Sequence, residues 1–94
     1  MPLAEMTTIC FFLPMKKKHT IVLFAFDQCQ LLDVAGPSSV FGVANSTAGR
    51  AFYDLKVVSP HGGLIVTSCG VSIATLAPRV VAARTIDTIL VAGG

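Results

Sequence analysis

HTIVLFAFDQCQLLDVAGPSSVFGVAN (residues 19–45), followed closely by FYDLKVVSP (52–60), carries the alternation of elements that defines the fold. His19–Phe26 is a short apolar run rich in β-branched and aromatic residues, with lysines before it and Asp27 after it, the pattern of a strand buried on both faces. Gln30–Asn45 places apolar residues at 31, 32, 34, 35, 40, 41, 43 and 44, a helical stripe interrupted at Gly36-Pro37. Proline offers no N–H to the carbonyl of Asp33, so the spacing predicts a turn or short helix, then a helix starting near Pro37 that lays Val40, Phe41 and Ala44 on the sheet. Phe52–Ser59 reads as a second strand closed by Pro60 and Gly62-Gly63. Strand, helix and strand in this order form a βαβ unit, and the right-handed crossover rule makes the two strands parallel neighbours.

Outward from this unit, Leu64–Cys69 and Val71–Thr75 alternate apolar and small polar residues around Gly70, which predicts a small hairpin or bulged excursion. Thr88–Ala92 is a further strand, preceded by Asp87 and followed by Gly93-Gly94. The fold class expected is α/β, a flavodoxin-like doubly wound and mostly parallel sheet. In such open sheets the ligand site lies outside the carboxyl ends of the strands, in the loops that follow them. The loop after the last strand has only begun at Gly94, so residues 19–94 read as the N-terminal half of a domain. Residues 1–18 read as a poorly ordered extension, with Met15 as an alternative start just ahead of Lys16, Lys17 and Lys18.

Composition excludes several other classes. The chain is 53% apolar and 13% charged, with a mean hydropathy of +0.75, which excludes a disordered tail. Its longest uninterrupted apolar run, Ile21–Phe26, is six residues, against the roughly 20 needed to cross a bilayer as a helix. The formal net charge of +2 rests on the lysine triplet; residues 19–94 balance Arg50, Lys56, Arg79 and Arg84 against Asp27, Asp33, Asp54 and Asp87. A neutral body of this kind lacks the clustered bases that displace counterions from nucleic-acid phosphates. Cys10, Cys29 and Cys69 are odd in number and widely spaced, so neither a disulfide framework nor a metal site is expected, and the setting is a reducing cytoplasm.

The series LLDVAGP, VF and AN (31–45), then YDLKVVSP and GG (53–63), SCG (68–70) and DTILVAGG (87–94), resembles the N-terminal half of the ThiJ/PfpI superfamily, relatives of class I glutamine amidotransferase domains. Within it the chain is most similar to the sensor domain of AraC-type transcriptional regulators, which precedes a helix-turn-helix module. Isonitrile hydratase is an enzyme relative with a similar leucine-aspartate-x-x-glycine-proline segment. The resemblance spans residues 19–94 and implies where chemistry would reside.

Asp33 falls on the position where enzymes of the superfamily carry an acidic partner for a cysteine nucleophile. A carboxyl there holds or shuttles a proton. The residue type alone points first to a helix cap or a favourable charge at the positive helix end, and the resemblance brings the catalytic reading level with it. Gly93 and Gly94 match the strand-end glycine pair, and the resemblance makes the Gly94 backbone a candidate oxyanion-hole donor. The same likeness puts Asp33, Gly36, Pro37, Gly93 and Gly94 around a ligand pocket, although Gly36-Pro37 also has a purely structural reading as an abrupt turn. The nucleophile is expected at a strand-to-helix elbow beyond Gly94. Cys29 falls in a loop with no matched residue, and Cys69 reads as a small buried thiol in a strand. His61 is expected to be solvated in a turn, and His19 has no evident partner; neither receives a site role.

Three functions are compatible with this reading. The first is a fragment of the ligand-sensing and dimerising domain of an AraC-family regulator, with DNA bound only through a downstream domain, no cofactor, and a small-molecule effector. The second is the front half of an isonitrile hydratase or amidase-like enzyme that uses Asp33. The third is a truncated product without independent activity, prone to association through an unpaired strand edge.

Overall fold

The computed structural model describes residues 18–94. The expectation of a disordered extension over 1–18 therefore lies outside the described residues except at Lys18, which is exposed. The elements run β1 (His19–Phe24), α1 (Leu31–Ala48), β2 (Tyr53–Val58), β3 (Gly63–Val66), β4 (Ser72–Thr75), α2 (Pro78–Val81) and β5 (Thr88–Val91). β1 is central in a three-stranded sheet of order β2-β1-β5, and β3 and β4 form a separate two-stranded sheet.

The sheet is parallel throughout, with Ile21 opposite Leu55 and Thr88, and Leu23 opposite Val57 and Leu90. β1 is central because it is apolar on both faces. Leu23 and Ala25 join Cys29, Val34, Ile65 and Ala92 in one cluster, while Val22 joins Val58 and Val81 in another. Burying a side chain of this size contributes roughly 1.5–3 kcal/mol, and β1 supplies three consecutive buried ones, Ile21, Val22 and Leu23. The βαβ unit and its parallel strands follow the expectation from the sequence.

α1 departs from it. The helix runs without a break from Leu31 to Ala48 through Pro37. An interior proline forfeits one backbone hydrogen bond and crowds the preceding turn, at about 3 kcal/mol. Here Val34 is buried before it and the Phe41 ring lies 4.8 Å from that of Tyr53 after it, so both halves are held against the same surface. Tertiary packing thus overrides the local preference for a turn. The face buried is also displaced from that expected: Phe41 and Ala44 are half-buried, but Val40 is 63% exposed. α1 ends at Gly49, whose left-handed φ of 73° caps the carbonyls of Asn45 and Ser46. The Asn45 side chain then fixes the start of β2, accepting from Tyr53 N at 2.8 Å and donating to Tyr53 O at 2.9 Å.

The β3–β4 hairpin is antiparallel and joins the far side of β2 through Leu76, whose N–H donates to Val57 O at 2.9 Å while its carbonyl accepts from Ser59 N at 3.1 Å. At the amino ends of the strands, Asp87 Oδ2 accepts from Thr20 N at 2.8 Å. His19 is not partnerless there: its Nε2 lies 2.8 Å from Thr88 Oγ1 and its ring meets Tyr53 edge-on at 5.8 Å, so it ties all three strands together at the edge opposite the carboxyl ends. No described helix is long and apolar enough to cross a membrane.

Candidate functional site

Two groups of residues gather at the carboxyl ends of the parallel strands, where open α/β sheets place ligands. The first joins Asp33 to the glycine pair. Asp33 sits in the first turn of α1 and makes no cap to its own helix. Its Oδ2 instead accepts from the Gly93 N–H at 2.7 Å, and the Gly93 carbonyl accepts from Gln30 N at 2.8 Å. Both polar groups of the Gly93 peptide are therefore spent on the start of α1. A Cβ on Gly93 would lie 2.7 Å from Asp33 Oδ2, so glycine is what permits the approach.

Of the residues the sequence singled out, the structure brings Asp33 and Gly93 into direct contact. Gly94 is exposed beside the Phe26 ring, within 3.8 Å of where its Cβ would stand. Gly36 and Pro37 are half-buried within α1, one turn further on, and form no turn. The contact is a charge-assisted hydrogen bond from a backbone N–H to a carboxylate. Replacing Asp33 by alanine is expected to cost about 1 kcal/mol, the usual net worth of one hydrogen bond, read by urea denaturation. Gly93→Ala is expected to displace the carboxylate and cost a similar amount, and the double variant should cost less than the sum; strict additivity would show that the contact contributes nothing.

The second group was missed in the sequence. Asp27, in the β1–α1 turn, and His61, in the β2–β3 turn, line a cleft of about 250 Å³ together with Ser59, Gly62, Leu64 and Ile65. His61 is exposed in its turn as expected. What the sequence could not supply is its neighbour: Asp27 is brought near by the hairpin, whose Val66 N–H donates to Asp27 Oδ1 at 2.9 Å. The only advance signal was position, since both residues lie in the turns just beyond strands.

The cysteines are distinct in setting. Cys29 is fully buried in the core beneath α1. Cys69 is exposed in the turn between β3 and β4, not buried in a strand, because Gly70 with φ 90° reverses the chain there. Hydrogen bonding to the Thr67 side chain and then to the Val71 backbone holds the Cys69 thiol below its ordinary range. The Thr67 hydroxyl is shared between Cys69 Sγ at 3.5 Å and the Val71 carbonyl at 2.7 Å. A lowered pKa leaves more thiolate at a given pH, so Cys69 should be alkylated by iodoacetamide well before Cys29, and Thr67→Val should move the rate profile of Cys69 to higher pH. An unmoved profile would remove Thr67 as the cause. Among the described residues, no group of three or more His, Cys, Asp or Glu is placed to hold a metal ion.

No family model matches the chain. A protein encoded in the cpoL 5′ region of Streptomyces lividans is 39% identical over 77 residues, covering 81% of this chain and 52% of that protein. Among solved structures, an AraC family transcriptional regulator from Pseudomonas putida superposes with a TM-score of 0.71 at 14% identity, over 81% of this chain and 47% of that one. The fold is shared with part of that regulator. The chain spans about half the length of each of these two proteins.

Proposed function

We infer that residues 19–94 are the N-terminal half of a ThiJ/PfpI-like, doubly wound domain that serves an AraC-type regulator as its effector-sensing and dimerising part, in the cytoplasm, with DNA contacted only by helices encoded downstream. The fold likeness to part of an AraC family regulator supports the context. The observation that carries the sensor reading is the Asp33–Gly93 contact. This contact ties the start of α1 to the end of β5 and so fixes the carboxyl edge of the sheet, where open α/β folds bind their ligands.

Completion by further chain is supported by β5. Ile89 and Val91 are 63% and 70% exposed on it, and β5 is the edge of the sheet with β1 on one side only. Large apolar side chains beside an open strand edge are a surface that additional strands and a helix would cover.

The resemblance to isonitrile hydratase supports a second reading, in which Asp33 partners a cysteine beyond Gly94. It is favoured by the fact that Asp33 and Gly93 do meet at the carboxyl edge. The two readings differ in a gel-retardation and activity comparison. The sensor reading expects the product of the whole reading frame to retard DNA from upstream of its own gene, and residues 1–94 alone to leave that DNA unshifted at physiological salt. Hydration of an isonitrile that collapses on Asp33→Asn, with no DNA retarded, would overturn it.

A further inference from the structure

We propose that the cleft between the β1–α1 and β2–β3 turns binds a small organic cation, a primary ammonium on a short apolar body, with Asp27 as its counter-ion and Leu64 and Ile65 as its apolar wall. As the effector site of the domain this rests on the sensor reading; as a binding site it stands on the cleft itself.

The carboxylate is preorganised. Asp27 Oδ1 accepts from Val66 N at 2.9 Å, while Oδ2 takes no hydrogen bond from the described residues, so one oxygen fixes the group and the other is left to a ligand. No lysine or arginine lines the cleft, and Asp27 is its one acidic residue. The lining therefore carries a formal charge of −1 with His61 neutral, which favours a cation and disfavours an anion. Ser59 contributes shape and not recognition, because its hydroxyl is buried and paired with Thr75, which in turn donates to the Gly63 carbonyl at 2.7 Å.

The opposite wall is equally set. Gly62 and Gly63 both have left-handed φ, 71° and 72°, and Gly62 is pressed against Ala77 so closely that a Cβ would fall 2.8 Å from Ala77 N. A turn held this way presents His61 without a conformational search, and its neutral ring can accept from an ammonium. The volume of about 250 Å³ is below the roughly 300–1,000 Å³ that houses drug-sized ligands. It suits a ligand of a few carbons and one charged nitrogen.

The experiment is a titration of the full 94-residue chain, followed by amide NMR signals, with n-butylammonium chloride, and in parallel with sodium butyrate and n-butanol at matched ionic strength. Butylammonium is expected to shift the signals of Asp27, Gln28, Gly62, Gly63 and Val66 saturably, and the other two to leave them in place. Asp27→Asn keeps an acceptor for Val66 N and removes the charge, and should weaken binding about tenfold or more, as loss of a charge-assisted contact does. Asp54→Asn removes a carboxylate at the start of β2, away from the cleft, and should leave the affinity unchanged. Equal shifts from all three probes, no saturable shift from butylammonium, or undiminished affinity in Asp27→Asn would overturn the proposal. These outcomes are independent of DNA retardation. A cation-binding chain whose full product ignores DNA removes the sensor reading alone, and a DNA-binding product with an unresponsive cleft removes the cation site alone.

Discussion

Leu23→Ala is expected to destabilise the chain by about 3 kcal/mol, within the 2–5 kcal/mol span typical of a leucine emptied from a packed core. Leu23 is fully buried at the centre of the middle strand, and the space left would be bounded by Val57 and Leu90 on the flanking strands and by the cluster that holds α1 through Val34. Parallel strands on both sides restrain collapse into the gap, so the cavity persists. Against the 5–15 kcal/mol of an ordinary domain this is a large share. Urea denaturation followed by circular dichroism checks it, with Leu23→Met as the volume-conserving control, expected to cost less than about 1.5 kcal/mol. A cost for alanine no greater than for methionine would mean that β1 is not the core strand.

Gly62→Ala is expected to be the most damaging change outside the core, at about 2–4 kcal/mol, the range of a substitution that combines backbone strain with overpacking. Two causes add. The left-handed φ of 71° is unfavourable for any residue with a Cβ. That Cβ would also lie 2.8 Å from Ala77 N and 3.1 Å from Ala77 Cα, backbone atoms that cannot rotate away. Gly63 separates the two, because it has nearly the same φ but nothing within 4 Å of its Cβ position. Gly63→Ala should therefore pay the conformational part alone, about 1–2 kcal/mol. The difference between the two variants measures how tightly the β2–β3 turn is pressed onto the segment after β4.

The parallel pairing of β1 with β2 was legible because the β-branched and aromatic runs at 19–26 and 52–59 are separated by a segment long enough for a crossover, and chirality restricts how they connect; that β5 takes the other side of β1 was not. The hairpin around Gly70 was legible from its alternation. Less so was α1: Gly36-Pro37 is a local stop signal, and only the contacts of Val34 and Phe41 with surfaces distant in sequence keep the helix going. The same limit applies at the site. Asp33 and Gly93 were each singled out, but their hydrogen bond joins residues 60 positions apart, and sequence reasoning weighed Asp33 against its own helix. Asp27 received no role and His61 was read as a solvated turn residue, because position after a strand is the one local signal either carries. The cleft exists only once the hairpin returns to the end of β1. Cys69 was misplaced because β3 ends at Val66, three residues short of the strand end that the alternation suggested, and the turn takes in Ser68 and Cys69.

The proposed sensor role, with DNA-binding helices encoded further on, is open to one decisive reading, that of the coding DNA past the codon for Gly94. An open frame is expected that supplies the covering helix and further strands of the sheet and then two helix-turn-helix units. A frame that reaches a cysteine at a strand-to-helix elbow and ends with the domain, or that stops at once after Gly94, would contradict it.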